Sequence, residues 1–303
     1  MFTVKPTGAI LGAVVEGIDL SQPLGDEVTG RLLKHLGENG FLRFPNQKLE
    51  PAHVKAFSER FGDIQETIRK PAQPSDCPGV GILSNVKENG AYIGSPDAGQ
   101  DWHTDMTYRD VMGFVNVLYA IKVPRRNGRT LGGTEFANMH AAYEGLPDEV
   151  KTRLKDATAV HNFEKFWEHM RQAHGSGRPP MSDEQRRRRP PVDHPVFLTH
   201  PITGRKVLYA NPGYTMKING MAQRESDGML DFLFKHQLQQ KYRYTFGWTE
   251  GDLLIWDNFG TLHRAIADYG PDEHRLMRRC QVMGTKIFDP AYRKTVSLPE
   301  LAA

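Results

Sequence analysis

The length and composition of the chain are those of a globular protein. It has 303 residues, of which 39% are hydrophobic, 10% aromatic and 25% charged. These fractions exclude disordered, collagen-like and coiled-coil classes and suffice for a sizeable hydrophobic core. Lys and Arg number 39 against 36 Asp and Glu, which gives a net charge of +3 at pH 7. The chain therefore has no strongly basic or acidic character.

Local features of the sequence disfavour several partners and compartments. Four consecutive arginines at 186–189 form a basic run, but no stacking aromatic residues accompany it, so we expect no nucleic-acid partner. No segment approaches the ~18 apolar residues of a membrane span, and the N-terminal residues lack a secretory pattern. Cys77 and Cys280 are isolated, so we expect neither a disulfide framework nor a cysteine metal site. These features predict a cytoplasmic protein that does not enter membranes.

Hydrophobic periodicity along the chain predicts mainly β-structure. Paired strands are predicted within 8–20, and helices at 27–36, 51–61, 138–154 and 221–236, where apolar residues recur at helical spacing. Further strands are predicted at 40–45, 80–84, 114–123, 196–200, 206–211, 243–249, 252–257 and 280–287. Many short strands without regular alternation with long helices favour an antiparallel double sheet with peripheral helices.

The segment 174–191 differs from the rest of the chain in composition. It combines Gly, Pro and Arg without a hydrophobic period, which is typical of a long mobile loop. No other stretch has the composition of a linker. Residues 1–303 are therefore predicted to form a single domain.

The first segment that indicates chemistry is Trp-His-Thr-Asp at residues 102–105. Side chains two residues apart on a strand point the same way, so His103 and Asp105 could present an imidazole and a carboxylate to one point. Alone, this pair is a weak signal. Such spacings arise by chance among 12 histidines, and a hydrogen-bonded surface pair is the simpler explanation.

A third candidate ligand follows the apolar strand predicted at 252–257. His263 lies just past the end of that strand, at the mouth of the predicted sheet. Two histidines and one carboxylate form the facial triad of non-haem Fe(II) oxygenases, which leaves coordination positions open for a co-substrate and O₂. Arg275 and Arg279 follow, and a guanidinium there could bind the far carboxylate of a metal-chelating dicarboxylate.

Together these motifs resemble the Fe(II)/2-oxoglutarate-dependent dioxygenases of the taurine dioxygenase and 2,4-dichlorophenoxyacetate dioxygenase (TauD/TfdA) type. The resemblance covers nearly the whole chain and rests on segments 7–20, 102–105, 132–144, 200–205 and 256–265. It implies a double-stranded β-helix, a cupin-like jelly roll, with helices packed outside. It also implies Fe(II) as cofactor, 2-oxoglutarate and O₂ as co-substrates, and succinate and CO₂ as products.

The resemblance implies a metal site of His103, Asp105 and His263. Because iron and the co-substrate carry out the difficult steps in such enzymes, no further catalytic side chain is expected. The protein's task is to fix the geometry and to aim one C–H bond at the metal.

For the co-substrate, the resemblance implies that Arg275 and the hydroxyl of Thr134 bind the distal carboxylate of 2-oxoglutarate. Thr130 is the alternative for the hydroxyl. Downstream, Arg278 and Arg279 compete for a second role, because the spacing after the distal histidine is one residue longer than in several relatives.

For the substrate, the resemblance implies a site formed by Arg279, the backbone of Met106, and the aromatic side chains of Trp167 and Tyr214. Thr67 occupies the place of a histidine found in taurine-type enzymes, which argues against taurine as the substrate. Both aromatic residues could instead belong to the core, and Arg279 could form a structural salt bridge.

The predicted function is the oxidation of a small organic acid anion, by hydroxylation or by hydroxylation followed by bond cleavage. The loop 174–191 would belong to the lid region that such enzymes order on substrate binding, and its arginines could attract anions. One alternative is a non-hydroxylating oxidation, such as desaturation, on the same scaffold. A metal-free jelly-roll binding protein is a further alternative, disfavoured because all three ligands are present. We expect a homo-oligomer.

Overall fold

The computed structural model describes residues 2–65, 77–96, 98–173 and 179–301. The described helices are α1 (Asp26–Asn39), α2 (Pro51–Glu59), α3 (Met139–Glu144), α4 (Asp148–Leu154), α5 (Phe163–Ala173), α6 (Asp183–Arg187), α7 (Gln223–Gln237) and α8 (Pro290–Thr295), with a 3₁₀ turn at Gln240–Tyr242. None of these helices is long and apolar enough to cross a lipid bilayer.

Nineteen strands are described. They are β1 (Thr3–Pro6), β2 (Ala13–Glu16), β3 (Phe41–Phe44), β4 (Gly81–Ser84), β5 (Lys87–Glu88), β6 (Ala91–Tyr92), β7 (Gly113–Lys122), β8 (Arg125–Arg126), β9 (Arg129–Thr130), β10 (Thr134–Asn138), β11 (Thr158–His161), β12 (Val192–Pro195), β13 (Phe197–Thr199), β14 (Lys206–Leu208), β15 (Thr215–Ile218), β16 (Arg243–Phe246), β17 (Leu253–Asp257), β18 (Thr261–Ala265) and β19 (Leu276–Met283).

Two sheets form the predicted double layer. The larger has the order β1-β2-β3-β17-β7-β19-β4, and the smaller the order β16-β10-β18. Every pairing is antiparallel except that of β2 with β3. Apolar side chains from both sheets meet in one inner cluster, in which the rings of Phe41 and Phe136 stack at 5.0 Å. The candidate site lies beside this inner cluster.

The central position of strand β17 explains why its sequence is apolar at nearly every position. Leu254 and Trp256 face the inner cluster between the sheets, whereas Leu253 and Ile255 face the outer core that includes the helices. Alternate side chains of a strand point to opposite faces, so a central strand covered on both sides is apolar throughout. This strand delivers the chain to the turn before β18, which carries His263.

Three sequence predictions about local structure are wrong in part, and one helix was not predicted. Of the strands predicted as a pair within 8–20, only β2 lies there, and its partner β1 precedes it. The helix predicted at 138–154 is divided into α3, capped by Gly145, and α4, capped by Pro147, two residue types that disfavour a continuous helix. The strand predicted at 280–287 is β19, which starts earlier and ends at Met283 in a turn. Helix α5 has no counterpart among the predicted helices.

The segment predicted as a loop at 174–191 is regular in part. Helix α6 lies within it, and Ser182 begins this helix with a capping box that includes Gln185. Residues 174–178 of the predicted loop lie outside the described residues.

Candidate active site

The two histidines of the predicted triad face each other across an isolated antiparallel bridge. The His103 N–H donates to the His263 carbonyl at 3.1 Å, and the His263 N–H donates to the His103 carbonyl at 2.8 Å. Their ring centroids are 4.3 Å apart. A Cβ at Gly213 would come within 2.7 Å of the His103 Cβ, so only glycine allows this close approach. Both imidazoles are thereby brought to one side of the sheet.

Asp105 joins them by a turn and not by the predicted strand. His103 forms only the single bridge, and the chain turns at 105–108. Met106 has a φ of +61°, in the left-handed region that non-glycine residues rarely adopt. The Thr104 hydroxyl donates to the Asn258 carbonyl at 2.7 Å, which ties this turn to the one before β18. The sequence was therefore right about the convergence of the side chains and wrong about the local structure that causes it.

The three side chains fit a divalent metal ion. Their ligand atoms lie within 4.8 Å of one another, and all three residues are buried. The His103 Nδ1–H donates to the Asp101 carbonyl at 2.7 Å, which leaves the Nε2 lone pair for a metal. Asp105 Oδ2 is buried without a hydrogen-bond partner among the described residues. Two imidazoles and one carboxylate are the donor set of non-haem Fe(II) sites.

The electrostatics of the triad favour a bound cation. Burial would raise the pKa of the Asp105 carboxyl, but His103, His263 and Arg279 outweigh it, and the pKa lies far below its usual range. Burial lowers the pKa of His263 to about 3, so this imidazole is neutral at pH 7. Burial opposes protonation of His103, but the hydrogen bond and the charge of Asp105 raise its pKa, so a metal ion would compete with a proton there. The ionised Asp105 carboxylate and the neutral His263 imidazole are already in the protonation states of metal ligands.

Thr134 and Arg275, the residues predicted to bind 2-oxoglutarate, lie near each other, since Arg275 packs against Gly132. Thr134 is buried at the start of β10, and its hydroxyl oxygen accepts a hydrogen bond from Trp248 Nε1 at 3.0 Å. The Thr134 hydroxyl proton is thus free to donate to a carboxylate. Arg275 is buried next to Gly132, where a Cβ would come within 3.2 Å of the Arg275 Nε. Thr130, the alternative, lies in the outer β8–β9 hairpin and is half-buried.

Arg275 is a buried cation that lacks a carboxylate partner within the described part of the chain. Burial lowers the pKa of its guanidinium, and Tyr269 partly offsets that effect. Its Nε has no hydrogen-bond partner there. Its backbone is held on both sides, since its N–H donates to Asn85 Oδ1 at 2.8 Å and its carbonyl accepts from the Ser84 hydroxyl at 2.8 Å. A buried guanidinium with a positioned backbone and without a carboxylate partner among the described residues is suited to bind an anion.

Arg278 and Arg279 point to opposite sides of β19. Arg278 donates to the Leu49 carbonyl at 3.3 Å and lies 3.8 Å from the Glu50 carboxylate. Arg279 instead acts electrostatically on all three candidate ligands, helping to lower the pKa of Asp105 and of His263. Of the two competing arginines, only Arg279 faces the candidate metal site.

Aromatic side chains form the wall of the pocket above the triad. The Tyr214 ring lies 6.4 Å from the His103 ring and 4.9 Å from the Tyr108 ring. The Phe166 ring lies 5.9 Å from His103, and the Phe163 ring lies 4.7 Å from Tyr108. Sequence reasoning selected Tyr214 but missed the other three rings. The position of Tyr108 three residues after Asp105 was the available signal.

The remaining residues predicted to bind the substrate are Trp167, Met106 and Thr67. Trp167 lies one ring further from the metal site, 5.9 Å from Phe163, and its indole N–H donates to the Pro179 carbonyl at 2.8 Å. Met106 is buried immediately after Asp105. Thr67 lies outside the described residues.

A buried hydrogen-bonded pair that the sequence reasoning did not find, His200 and Asp257, supports the turn before His263. Asp257 Oδ2 accepts from His200 Nε2 at 2.5 Å, and both side chains are fully buried. The same carboxylate accepts from the backbone N–H groups of Phe259 at 2.9 Å and Gly260 at 3.2 Å. The Asp257 carbonyl accepts from the Thr261 hydroxyl at 2.6 Å. These bonds hold the connection between β17 and β18 in one conformation.

Two histidines and an aspartate that meet within a fold of two facing sheets are the donor set of jelly-roll, non-haem iron dioxygenases. The family model described as "Taurine catabolism dioxygenase TauD, TfdA family" matches residues 3–281. The chain belongs to this family, and it is an Fe(II)- and 2-oxoglutarate-dependent dioxygenase.

Individual relatives agree with this assignment. The chain is 31% identical to pentalenolactone F synthase of Streptomyces avermitilis, over 90% of each chain. It is 28% identical to the alpha-ketoglutarate-dependent 2,4-dichlorophenoxyacetate dioxygenase of Cupriavidus pinatubonensis, over 92% of this chain and 96% of that one. The crystal structure of AAD-2 in complex with Mn(II) and N-oxalylglycine has 27% identity and a TM-score of 0.77, and the match covers 94% of this chain and 98% of AAD-2. The predicted jelly roll and cofactor class are thereby confirmed.

Proposed function

We propose that this dioxygenase oxidises a small organic acid anion bound beside Arg279 and the aromatic wall. The observation that supports this proposal is the placement of two guanidinium groups, since Arg275 is buried next to Gly132 and Arg279 faces the triad. One of them serves the co-substrate, and the other remains for a second anion. A relative named for 2,4-dichlorophenoxyacetate is consistent with an organic acid as substrate.

The chain's own residues have separate tasks in this proposal. His103, Asp105 and His263 would hold Fe(II), which supplies with 2-oxoglutarate and O₂ the oxidising power to take hydrogen from a substrate carbon. Arg275 and the Thr134 hydroxyl bind the distal carboxylate of 2-oxoglutarate. Trp248 orients that hydroxyl by donating to its oxygen.

The substrate side of the pocket positions one C–H bond. Arg279 binds the anionic group, and the rings of Tyr108, Phe166 and Tyr214 contact an apolar body and exclude water from the metal site. Met106 contributes through its backbone, directly after Asp105. No side chain of this pocket needs to act as a general acid or base.

The proposal also covers the domain organisation, the compartment and the assembly of the protein. Residues 1–303 act as a single catalytic domain, because the family match and the two facing sheets extend over most of the chain. The protein works in the cytoplasm, and it assembles as a homo-oligomer. Size-exclusion chromatography with light scattering measures the last of these, and a monomeric mass would contradict it.

Succinate release tests the function directly. The enzyme is loaded with Fe(II) and 2-oxoglutarate, and succinate and O₂ uptake are measured with a panel of acids and their neutral amides. We expect the acids, and not the amides, to stimulate succinate release. Arg279→Gln should abolish this difference, whereas Arg278→Gln, on the same strand but facing away, should preserve it. Equal stimulation by acids and amides, or a marked preference for taurine, would contradict the proposal.

A further inference from the structure

Three arginines from separate parts of the chain approach one phenol group. Arg109 follows the triad turn, Arg189 follows helix α6, and Arg279 lies on β19. Burial and the Asp105 carboxylate raise the pKa of Tyr108, and the charges of all three arginines oppose that rise. Each guanidinium is therefore close enough to act on the same side chain.

Contacts fix the Arg189 guanidinium and the Arg109 backbone. The Arg189 guanidinium lies over the Phe163 ring, 4.3 Å from its centroid, and that ring is 4.7 Å from the Tyr108 ring. The Arg109 carbonyl accepts from His194 Nε2 at 2.9 Å. The Arg109 Nε is buried and has no hydrogen-bond partner among the described residues. The Arg189 guanidinium thus lies at the aromatic wall, and the Arg109 side chain, which follows Tyr108 in the chain, leaves a buried donor unused.

None of the three arginines forms an ion pair with a carboxylate of the described residues. Their neighbours in the arginine run behave differently, since Arg186 pairs with Glu164 and Asp183, and Arg188 pairs with Glu184. Among these four arginines, Arg189 is the one that is half-buried, and the others are exposed. The basic run therefore contributes one cation to the pocket and keeps three outside.

Burial and the charge of Arg109 lower the pKa of the Arg189 guanidinium, so an anion beside these two groups would be favoured. Arg279 acts on Tyr108 as they do, so it would reach the same anion. The Asp105 carboxylate does not neutralise the three arginines, because it also faces two histidines and would bind the metal. A carboxylate, a sulfonate and a sulfate ester each carry a single negative charge. A phosphate monoester carries between about −1.5 and −2 at pH 7 and offers three acceptor oxygens. Guanidinium groups bind such oxygens in pairs.

We propose that Arg109, Arg189 and Arg279 form one anion-binding cluster that selects a substrate with a dianionic phosphate or phosphonate head group. This inference rests on the proposed function and specifies its substrate class. The head group would lie beside the Tyr108 hydroxyl, and the organic body would extend along Tyr214 and Phe166 toward the triad.

Two probes of almost identical shape differ in the charge of the head group, so comparing their affinities measures the effect of that charge. Phenyl phosphate and phenyl sulfate both carry a tetrahedral head group on an aromatic ring, but only the phosphate has a second negative charge. Binding of each probe is measured by calorimetry at pH 7.5, on enzyme loaded with Mn(II) and N-oxalylglycine so that no turnover occurs. We expect phenyl phosphate to bind at least about tenfold more tightly than phenyl sulfate, because each additional charge-assisted contact contributes about a factor of ten.

Variants separate this cluster from a general effect of positive charge. Arg109→Gln and Arg189→Gln should each weaken phenyl phosphate about tenfold and phenyl sulfate by less than about threefold. Arg188→Gln is the matched control, because it removes the same charge from the same segment but outside the pocket. It should change neither affinity by more than about twofold.

The outcomes distinguish this inference from the proposed function. Equal affinities for the two probes, or equal effects of Arg188→Gln and Arg189→Gln, would overturn the dianion cluster. The same result would leave the succinate assay with monoanionic acids unaffected. Conversely, selective loss of phenyl phosphate binding in both pocket variants would support the cluster even if no acid in the panel stimulated succinate release.

Discussion

Replacing Arg275 by glutamine separates co-substrate binding from stability. Arg275 is only 6% exposed, its Nε has no hydrogen-bond partner among the described residues, and burial lowers the pKa of its guanidinium. With 2-oxoglutarate bound, the guanidinium can make two charge-assisted hydrogen bonds, each worth about 1.5–3 kcal/mol. Glutamine can keep one neutral bond, so the expected net loss is about 2–4 kcal/mol. That loss corresponds to a rise in the 2-oxoglutarate KM of roughly 30-fold to 1000-fold.

The same substitution should not destabilise the enzyme without co-substrate. A buried charge without a carboxylate partner costs free energy, so removing it should leave the melting temperature unchanged or higher. In the wild-type enzyme, 2-oxoglutarate at about 100 times its Kd should add about 2.7 kcal/mol to the free energy of unfolding. In Arg275→Gln this ligand-dependent increase should fall below about 1 kcal/mol at the same concentration.

Steady-state kinetics and thermal unfolding measure the two effects. Arg278→Gln is the control, since that guanidinium contacts Leu49 and Glu50 on the outer side of the same strand. Its KM should stay within about twofold of wild type. An unchanged KM in Arg275→Gln, with the loss appearing in Arg279→Gln, would show that the two roles are exchanged. A large fall in the stability of the ligand-free variant would refute the argument about buried charge.

Three further substitutions test the rest of the site. His263→Ala should lower the affinity for Fe(II) more than about 100-fold and abolish succinate release. Removing a metal ligand costs more affinity than removing a residue that only hydrogen-bonds to a ligand. Full iron content in this variant would contradict the triad. Asp257→Asn should lower the free energy of unfolding by about 1.5–3 kcal/mol in urea titrations, because the buried His200 loses a hydrogen bond to a carboxylate. A change below about 1 kcal/mol would refute this role. Trp248→Phe should raise the 2-oxoglutarate KM about threefold to tenfold, because the Thr134 hydroxyl loses its orienting donor. Adding Thr134→Val to this variant should raise the KM little further. If the effects of the two substitutions on KM were fully additive, Trp248 would not act through Thr134.

Much of the architecture could be predicted from local sequence. The apolar residues of β17 and the periodic leucines of α1 predicted a buried strand and a packed helix, because both patterns follow from backbone geometry alone. The identity of the candidate ligands was also readable, since two histidines and a carboxylate are recognisable as residue types. Helix ends were less predictable. The helix predicted at 138–154 ran through Gly145 and Pro147, where the structure ends α3 and begins α4.

Only the tertiary structure decided how the site is assembled. His103 and Asp105 converge through a turn and through the bridge to His263, and no local pattern encodes a bridge across so many residues. The choice of Arg279 over Arg278 depends on which face of β19 meets the inner side of the sheet.

The arginine cluster shows the same division. The sequence by itself determined that Arg109 and the run at 186–189 are cationic. It could not determine that Arg189 lies over Phe163 while Arg186 and Arg188 pair with surface carboxylates. The physical reason is that charge is a property of each residue, whereas burial and the lack of an ion-pair partner depend on contacts between segments that only the packed fold brings together.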